Sequence, residues 1–186
     1  MGMNLFHRRE GERLENEIIL VDIFDQVVGH GEKLEVHKKG QLHRAFSVFL
    51  YHDNKLLIQK RAINKYHSGG LWANTCCSHP RVKESLEEAA KRRLFEEAGI
   101  DCDIEEIFSF IYRAEFENGL TEYELDHVFI GKYQGETKMN EDEMSELLWI
   151  DVDLLALGIM QFPQEFAPWF ITASPQVIKY VKGLNK

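Results

Sequence analysis

The stretch SHPRVKESLEEAAKRRLFEEAGI, residues 78–100, decides how the rest of the chain is read. From Glu84 to Ala98 the apolar residues Leu86, Ala89, Ala90, Leu94 and Ala98 recur at helical spacing, and Gly99 stands in the stop position. This predicts one amphipathic helix. Its remaining surface crowds Arg92, Arg93, Glu96 and Glu97 into its last turns. Carboxylates one turn apart on a helix can hold Mg²⁺, and a bound Mg²⁺ can hold a diphosphate. A solvated helix laced with Glu and Arg for solubility has the same composition, so the flanking segments decide between the two.

Strand-like runs precede the helix at Ile18 to Phe24, Arg44 to Tyr51, Lys55 to Gln59 and Leu71 to Cys77, with Asp53-Asn54 as a hairpin turn. Two alternating segments follow it, Glu106 to Phe116 and Thr121 to Tyr133, around Asn118-Gly119, a strong hairpin signal. Glu146 to Ile150 reads as a last strand, and Val152 to Gly183 is helical in pattern, with breaks at Pro163, Pro168 and Pro175. The expected architecture is an α+β or α/β sandwich: a mixed β-sheet between helices, in one domain over residues 1–186, with 1–17 as an N-terminal extension.

Composition bounds the function. A chain of 186 residues, 44% apolar with four prolines, can bury a full core. No apolar run approaches the ~20 residues of a membrane helix, and the charged opening Met1 to Glu17 has no signal-like stretch. A cytoplasmic protein without a membrane partner is expected. Three cysteines, two of them adjacent, make a poor disulfide framework and point to free thiols in a reducing compartment. A net charge of −9 argues against nucleic acid as a partner. An anionic ligand must instead meet a local basic cluster, and two exist, Lys60/Arg61/Lys65 and Lys91/Arg92/Arg93. The oligomeric state has no signal in the sequence.

Glu122 and Glu124 alternate on one strand and so share a face. With His37, His43 and His79 they make a donor set suited to Zn²⁺ or Mn²⁺, although each residue alone reads as an ordinary surface or hydrogen-bonded group. Cys76 and Cys77 are neighbours on a strand, so only one of them can face the side that His79 faces. Cys76 reads as packing; Cys77 is by default also a small buried apolar residue, and it is the one of the pair that shares the side of His79.

Ser78, Glu84, Arg92, Glu96, Glu97, Gly99 and Ile100 stand at the spacings of a Nudix box, with two departures. Ser78 replaces the opening Gly, and Arg93 replaces a Glu that hydrolases use on the metal or the attacking water. A guanidinium can neither accept a proton nor ligate Mg²⁺, but it can clamp a phosphate by paired hydrogen bonds. Such a site grips a diphosphate rather than cleaving it.

Together with LWANTCCSHP (71–80), YRAEFENGLTEYELDHVF (112–129), EKLEVHKKGQLHRAFS (32–47) and FAPWF (166–170), these features resemble the type 1 isopentenyl-diphosphate isomerase family, a Nudix-fold family without hydrolase activity. The likeness covers nearly all of the chain after residue 17. It implies a small prenyl diphosphate substrate whose double bond is moved through a carbocation. It makes Cys77 and Glu124 the acid and base pair, and gives His37, His43, His79, Glu122 and Glu124 to a tightly held Mn²⁺ or Zn²⁺. Glu97 would sit on the Mg²⁺ of the diphosphate, with Glu96 as a second carboxylate in reach. Lys33, Arg61, Lys65 and Arg93 would contact phosphate oxygens, and Tyr112 and Trp169 would line the hydrocarbon pocket. The rival is a Nudix hydrolase of a nucleoside or prenyl diphosphate, opposed by Arg93 and favoured by Glu96 and Glu97. A metal-diphosphate sensor would need neither Cys77 nor Glu124, and a structural zinc module lacks its paired CxxC arms here.

Overall fold

The structure is a computed structural model that describes residues 16–184, so most of the expected extension, residues 1–15, lies outside the described residues. In chain order the elements are β1 (Glu17–Val21), β2 (Val27–Glu32), α1 (Lys33–Lys39), β3 (His43–His52), β4 (Lys55–Arg61), β5 (Trp72–Asn74) and β6 (Cys76–Ser78). They continue with α2 (Leu86–Ala98), β7 (Glu105–Glu115), β8 (Thr121–Lys132), β9 (Met144–Asp151), α3 (Val152–Gln161), a 3₁₀ turn (Pro163–Glu165) and α4 (Pro168–Leu184). The nine strands belong to one mixed sheet.

The apolar run of β3 is the spine of that sheet. It lies parallel to β8 from the pair His43/Glu124 to the pair Tyr51/Lys132, but it pairs with β4 only near their shared hairpin, at Leu50/Leu57 to His52/Lys55. Beyond that point β3 and β4 diverge, and residues 72–78 fill the fork. β5 adds to β4 at Ile58/Asn74, and β6 adds to β3 at Val48/Cys76. A strand expected to run unbroken from Leu71 to Cys77 is therefore two short strands, because one strand cannot follow two partners that separate.

Thr75 is the hinge of the fork. Fully buried, its hydroxyl accepts a hydrogen bond from Leu50 N at 3.1 Å and donates one to Leu57 O at 2.6 Å. It thus replaces ladder bonds that β3 and β4 lose on parting. Asn74 Nδ2 donates to Val48 O at 3.2 Å and to Cys76 O at 2.5 Å, and Gln59 Nε2 donates to Thr75 O at 3.1 Å.

Helices cover both faces. α2 packs on one, over Phe46, Val48, Leu57 and Cys76; α3 and α4 pack on the other, over Phe49, Leu56, Ile58 and Val128. Each fully buried Leu, Ile or Phe contributes about 1.5–3 kcal/mol. α2 begins two residues later than the pattern predicts, because Ser85 caps it. Glu88 N donates to Ser85 Oγ at 3.3 Å, and Ser85 N donates to Glu88 Oε2 at 3.0 Å, a capping box. Gly99, at φ 67°, ends the helix as expected. Glu84 falls outside it and binds Arg92 at 2.6 and 2.8 Å, bracing the loop that follows His79.

Other expectations shift. β1 stops at Val21 rather than Phe24 because Asp22 Oδ1 accepts from Phe24 N and Gln26 N, both at 2.9 Å, closing a turn. β2 and α1 carry no pattern strong enough to predict. Pro168 opens α4, and the helix continues through Pro175. The buried stripe Trp169, Phe170, Ala173, Val177 and Val181 holds it there against the ~3 kcal/mol a helix-interior proline costs. Among the described residues no helix is long and apolar enough to cross a membrane.

Candidate active site

A cavity of about 260 Å³ opens where the fork, the C-terminal half of α2, the segment 62–71 and the start of α4 meet. Of the site residues that the resemblance implies, all line it except His37 and His43, which cluster with His79 and Glu124, and Glu96.

His37 lies in the last turn of α1, His43 opens β3, His79 follows β6, and Glu124 lies on β8 directly opposite His43. One ligand atom from each of the four lies within 4.8 Å of all the others. His79 Nε2 is 2.9 Å from Glu124 Oε1 and 3.2 Å from His43 Nε2, and His43 Nε2 is 3.3 Å from the same Glu124 oxygen. His37 Nδ1 lies 2.6 Å from Lys33 O, and His43 Nδ1 lies 2.8 Å from Gln41 O. A carbonyl only accepts, so both Nδ1 atoms carry the hydrogen and both Nε2 lone pairs face inward. His37 Nε2 is buried without a partner. A tetrahedral ion bound at ~2.1 Å separates its ligand atoms by ~3.4 Å, and the separations here, from 2.9 Å up to 4.8 Å, bracket that spacing. Burial pulls His37 down to about 4, which leaves it in the neutral, ligating form at neutral pH.

Glu122 shares the face of Glu124, as the alternation requires, yet it stands outside this group of four. It is turned the other way. Its Oε1 lies 2.9 Å from His67 Nε2, and its Oε2 accepts from Tyr112 Oη at 2.9 Å. Tyr112 Oη is also 2.5 Å from Glu124 Oε2. One hydroxyl proton thus lies between two carboxyl groups. Burial, reinforced by the charge of Glu124, pushes Glu122 up. Burial works on Glu124 the same way, but the His43 and His79 imidazoles packed against it outweigh burial and hold Glu124 low.

Cys77 faces the cavity and Cys76 is fully buried under α2, the division that strand alternation predicts. Burial pushes the Cys77 thiol up to about 12, against the pull of Arg61, whose Nη1 is 3.5 Å from Sγ. Cys77 is therefore a thiol, not a thiolate.

The opposite end of the cavity is cationic, but its cations are already paired. Arg93 Nη2 donates to Glu97 Oε1 at 2.6 Å and to Glu143 Oε1 at 2.9 Å, and Lys65 is ion-paired to Glu143. Glu96, the expected second carboxylate, is partly exposed and bonds Arg92 and Arg93 from outside. Glu143 holds the inner place instead. Sequence reasoning missed it, because Asn140 to Glu143 reads as a solvated acidic loop. Arg61 lies over the Trp169 ring, 5.2 Å from its centroid, while Trp169 Nε1 donates to Asn74 Oδ1 at 2.9 Å. Lys33 Nζ lies 5.3 Å from the centre of the Tyr66 ring. Lys60, Lys91 and Arg92, members of the two basic clusters, pair with Glu146, Glu87 and Glu84 instead. His67, also missed, had no local signal beyond its place between Lys65 and the 71–80 strand.

Residues 41–170 match the family model described as NUDIX domain, which sets the class. Solved structures agree on the fold: a MutT protein from Methanosarcina mazei (TM-score 0.58, 18% identity, 78% of this chain and 96% of that one) and a MutT NUDIX hydrolase from Burkholderia pseudomallei (TM-score 0.55, 21% identity, 74% and 98%). Within the class, the chain is 45% identical over 173 residues to isopentenyl-diphosphate Delta-isomerase 2 of Aromatoleum aromaticum, covering 92% of this chain and 91% of that protein. It is 50% identical over 159 residues to isopentenyl-diphosphate Delta-isomerase 2 of Photorhabdus laumondii, covering 84% and 89%. The chain belongs to the isopentenyl-diphosphate Delta-isomerase family of NUDIX-domain enzymes.

Proposed function

We propose that the chain interconverts isopentenyl and dimethylallyl diphosphate by adding a proton at one end of the double bond and removing another two carbons away, with Cys77 and Glu124 as the proton-transfer pair. The observation that carries this reading is the placing of the Cys77 side chain and the Glu124–Tyr112 pair in one cavity. An alkene is a weak base, so its protonation yields a tertiary cation that water, thiolate or phosphate must not capture. Cys77 meets this need as a neutral thiol. The Tyr112 and Trp169 faces stabilise the cation by roughly 0.5–2 kcal/mol each, and a closed cavity keeps water away. Cys77 and Glu124 exchange roles with the direction of reaction.

His37, His43, His79 and Glu124 would hold a Mn²⁺ or Zn²⁺ ion, with Glu122 beside it through Tyr112. Such an ion makes a touching carboxylic acid a stronger acid. Glu97 would hold the Mg²⁺ that accompanies the diphosphate, with Glu143 as the nearer second carboxylate. Lys65 and Arg93 would release Glu143 to grip phosphate oxygens, with Arg61 and Lys33 at the flanks. Arg93, locked between Glu97 and Glu143, cannot activate water, which disfavours hydrolysis.

Purified protein given Mg²⁺ and isopentenyl diphosphate in D₂O should yield deuterated dimethylallyl diphosphate by NMR with no free phosphate. Release of orthophosphate or pyrophosphate would overturn the reading.

A further inference from the structure

We propose that His67 is a positioning residue of this site: its imidazole holds Glu122, and through Glu122 the Tyr112 hydroxyl, where Tyr112 meets Glu124. The inference rests on the isomerase reading for its kinetic consequence, and on geometry alone for the placement.

His67 belongs to a loop, residues 62–71, without helix or strand. Loop side chains ordinarily face water, yet His67 is 7% exposed. Three aromatic rings from three separate segments enclose it. Phe116 stacks on it at 4.9 Å and 27°, Tyr66 meets it edge-on at 4.4 Å, and Trp169 meets it edge-on at 5.9 Å. This box fixes the plane of the imidazole and aims Nε2 at Glu122 Oε1, 2.9 Å away. The backbone is tied too, since Asn118 Nδ2, in the β7–β8 turn, donates to Tyr66 O at 2.7 Å.

The two oxygens of Glu122 thus have different owners, Oε1 for His67 and Oε2 for Tyr112. Without His67, Glu122 keeps a buried oxygen without that donor, and Tyr112 alone holds it away from the His37, His43 and His79 imidazoles. Tyr112 then loses the partner that fixes its hydroxyl on the side opposite Glu124. Partners that orient a ligating or catalytic side chain in this way typically affect activity by about 10- to 100-fold.

The test compares wild type, His67→Phe and His67→Gln. Phenylalanine keeps the ring in the aromatic box but removes the N–H; glutamine keeps an N–H donor but loses the ring. The expected result for His67→Phe is a fall in kcat of about 10- to 100-fold, with KM, the Kd for Mg²⁺-pyrophosphate by calorimetry and Tm near wild-type values. His67→Gln should recover part of kcat despite poorer packing. Crystals of His67→Phe should show the Glu122 carboxylate displaced from Tyr112. An undiminished kcat in His67→Phe, or equal losses in both variants alongside a lowered Tm, overturns the positioning role. So does an unmoved Glu122, a result readable whether or not the protein isomerises. Failure of the isomerase reading would show separately, as wild type that incorporates no deuterium.

Discussion

Replacing Thr75 by Val changes almost nothing in volume, and it should be among the most damaging conservative substitutions in the chain. The hydroxyl is fully buried and serves two backbone groups, Leu50 N at 3.1 Å and Leu57 O at 2.6 Å, at the point where β3 and β4 part. Valine leaves that donor and that acceptor unsatisfied. Each buried orphan costs about 1–3 kcal/mol, so the expected loss for the two is roughly 2–6 kcal/mol. For a domain of this size each 1 kcal/mol shifts Tm by about 2–4 °C, giving a fall on the order of 10 °C in a calorimetric scan. Thr75→Ser keeps both bonds and deletes one methyl group, for about 1 kcal/mol. Activity should fall further in Thr75→Val than in Thr75→Ser, because Cys77 is only two residues from the hinge and small misplacements of a reacting group are costly. If Thr75→Val matches Thr75→Ser in Tm, the hydroxyl does not replace the lost ladder and the account of the fork is wrong.

Cys77→Ala should abolish deuterium exchange while leaving Tm almost unchanged, whereas Cys76→Ala should keep exchange and lose Tm through a cavity under α2; the opposite pattern would exchange their assignments. Arg93→Lys keeps the charge but loses the fork that reaches Glu96, Glu97 and Glu143; steady-state kinetics should show KM raised about tenfold with a smaller change in kcat, and an unchanged KM would remove Arg93 from diphosphate binding. Burial holds His37 at about 4 and His67 at about 3, both below their unfolded value. The unfolded chain therefore binds more protons as the pH falls from 6.5 towards those values, and stability is fully present above about 6.5. In chelator, urea unfolding should show a loss of roughly 2 kcal/mol per imidazole between pH 7 and pH 5, and a flat profile would contradict their burial as neutral groups.

What the sequence made legible was local. The stripe from Leu86 to Ala98 with Gly99 after it, the Asn118-Gly119 turn and the division between Cys76 and Cys77 each follow from periodicity or turn chemistry within a few residues. α1 was not legible because a seven-residue helix shows barely two turns of pattern. β2, with Gly29 and Gly31 inside it, lacks the β-branched density of a strand interior. The break at Thr75 was invisible for a different reason: it exists because two other strands diverge, and nothing in residues 71–77 records that. His67 and Glu143 belong to the same class. One takes its place from rings at 66, 116 and 169, the other from cations at 65 and 93. Neither carries a motif of its own, so only the assembled fold reveals them.

The paired cysteines of β6 have a consequence for how such a gene can change. A one-residue insertion that slipped β6 along β3 would move Cys76 into the cavity position that Cys77 holds, since neighbours on a strand face opposite sides. A thiol would still greet the substrate, yet the same slip would put Ser78 in the place of His79 and take an imidazole from the four-residue cluster. The second cysteine is therefore no reserve copy. Point substitutions can accumulate around this strand, but insertions and deletions within it should be lost from any lineage that depends on the enzyme.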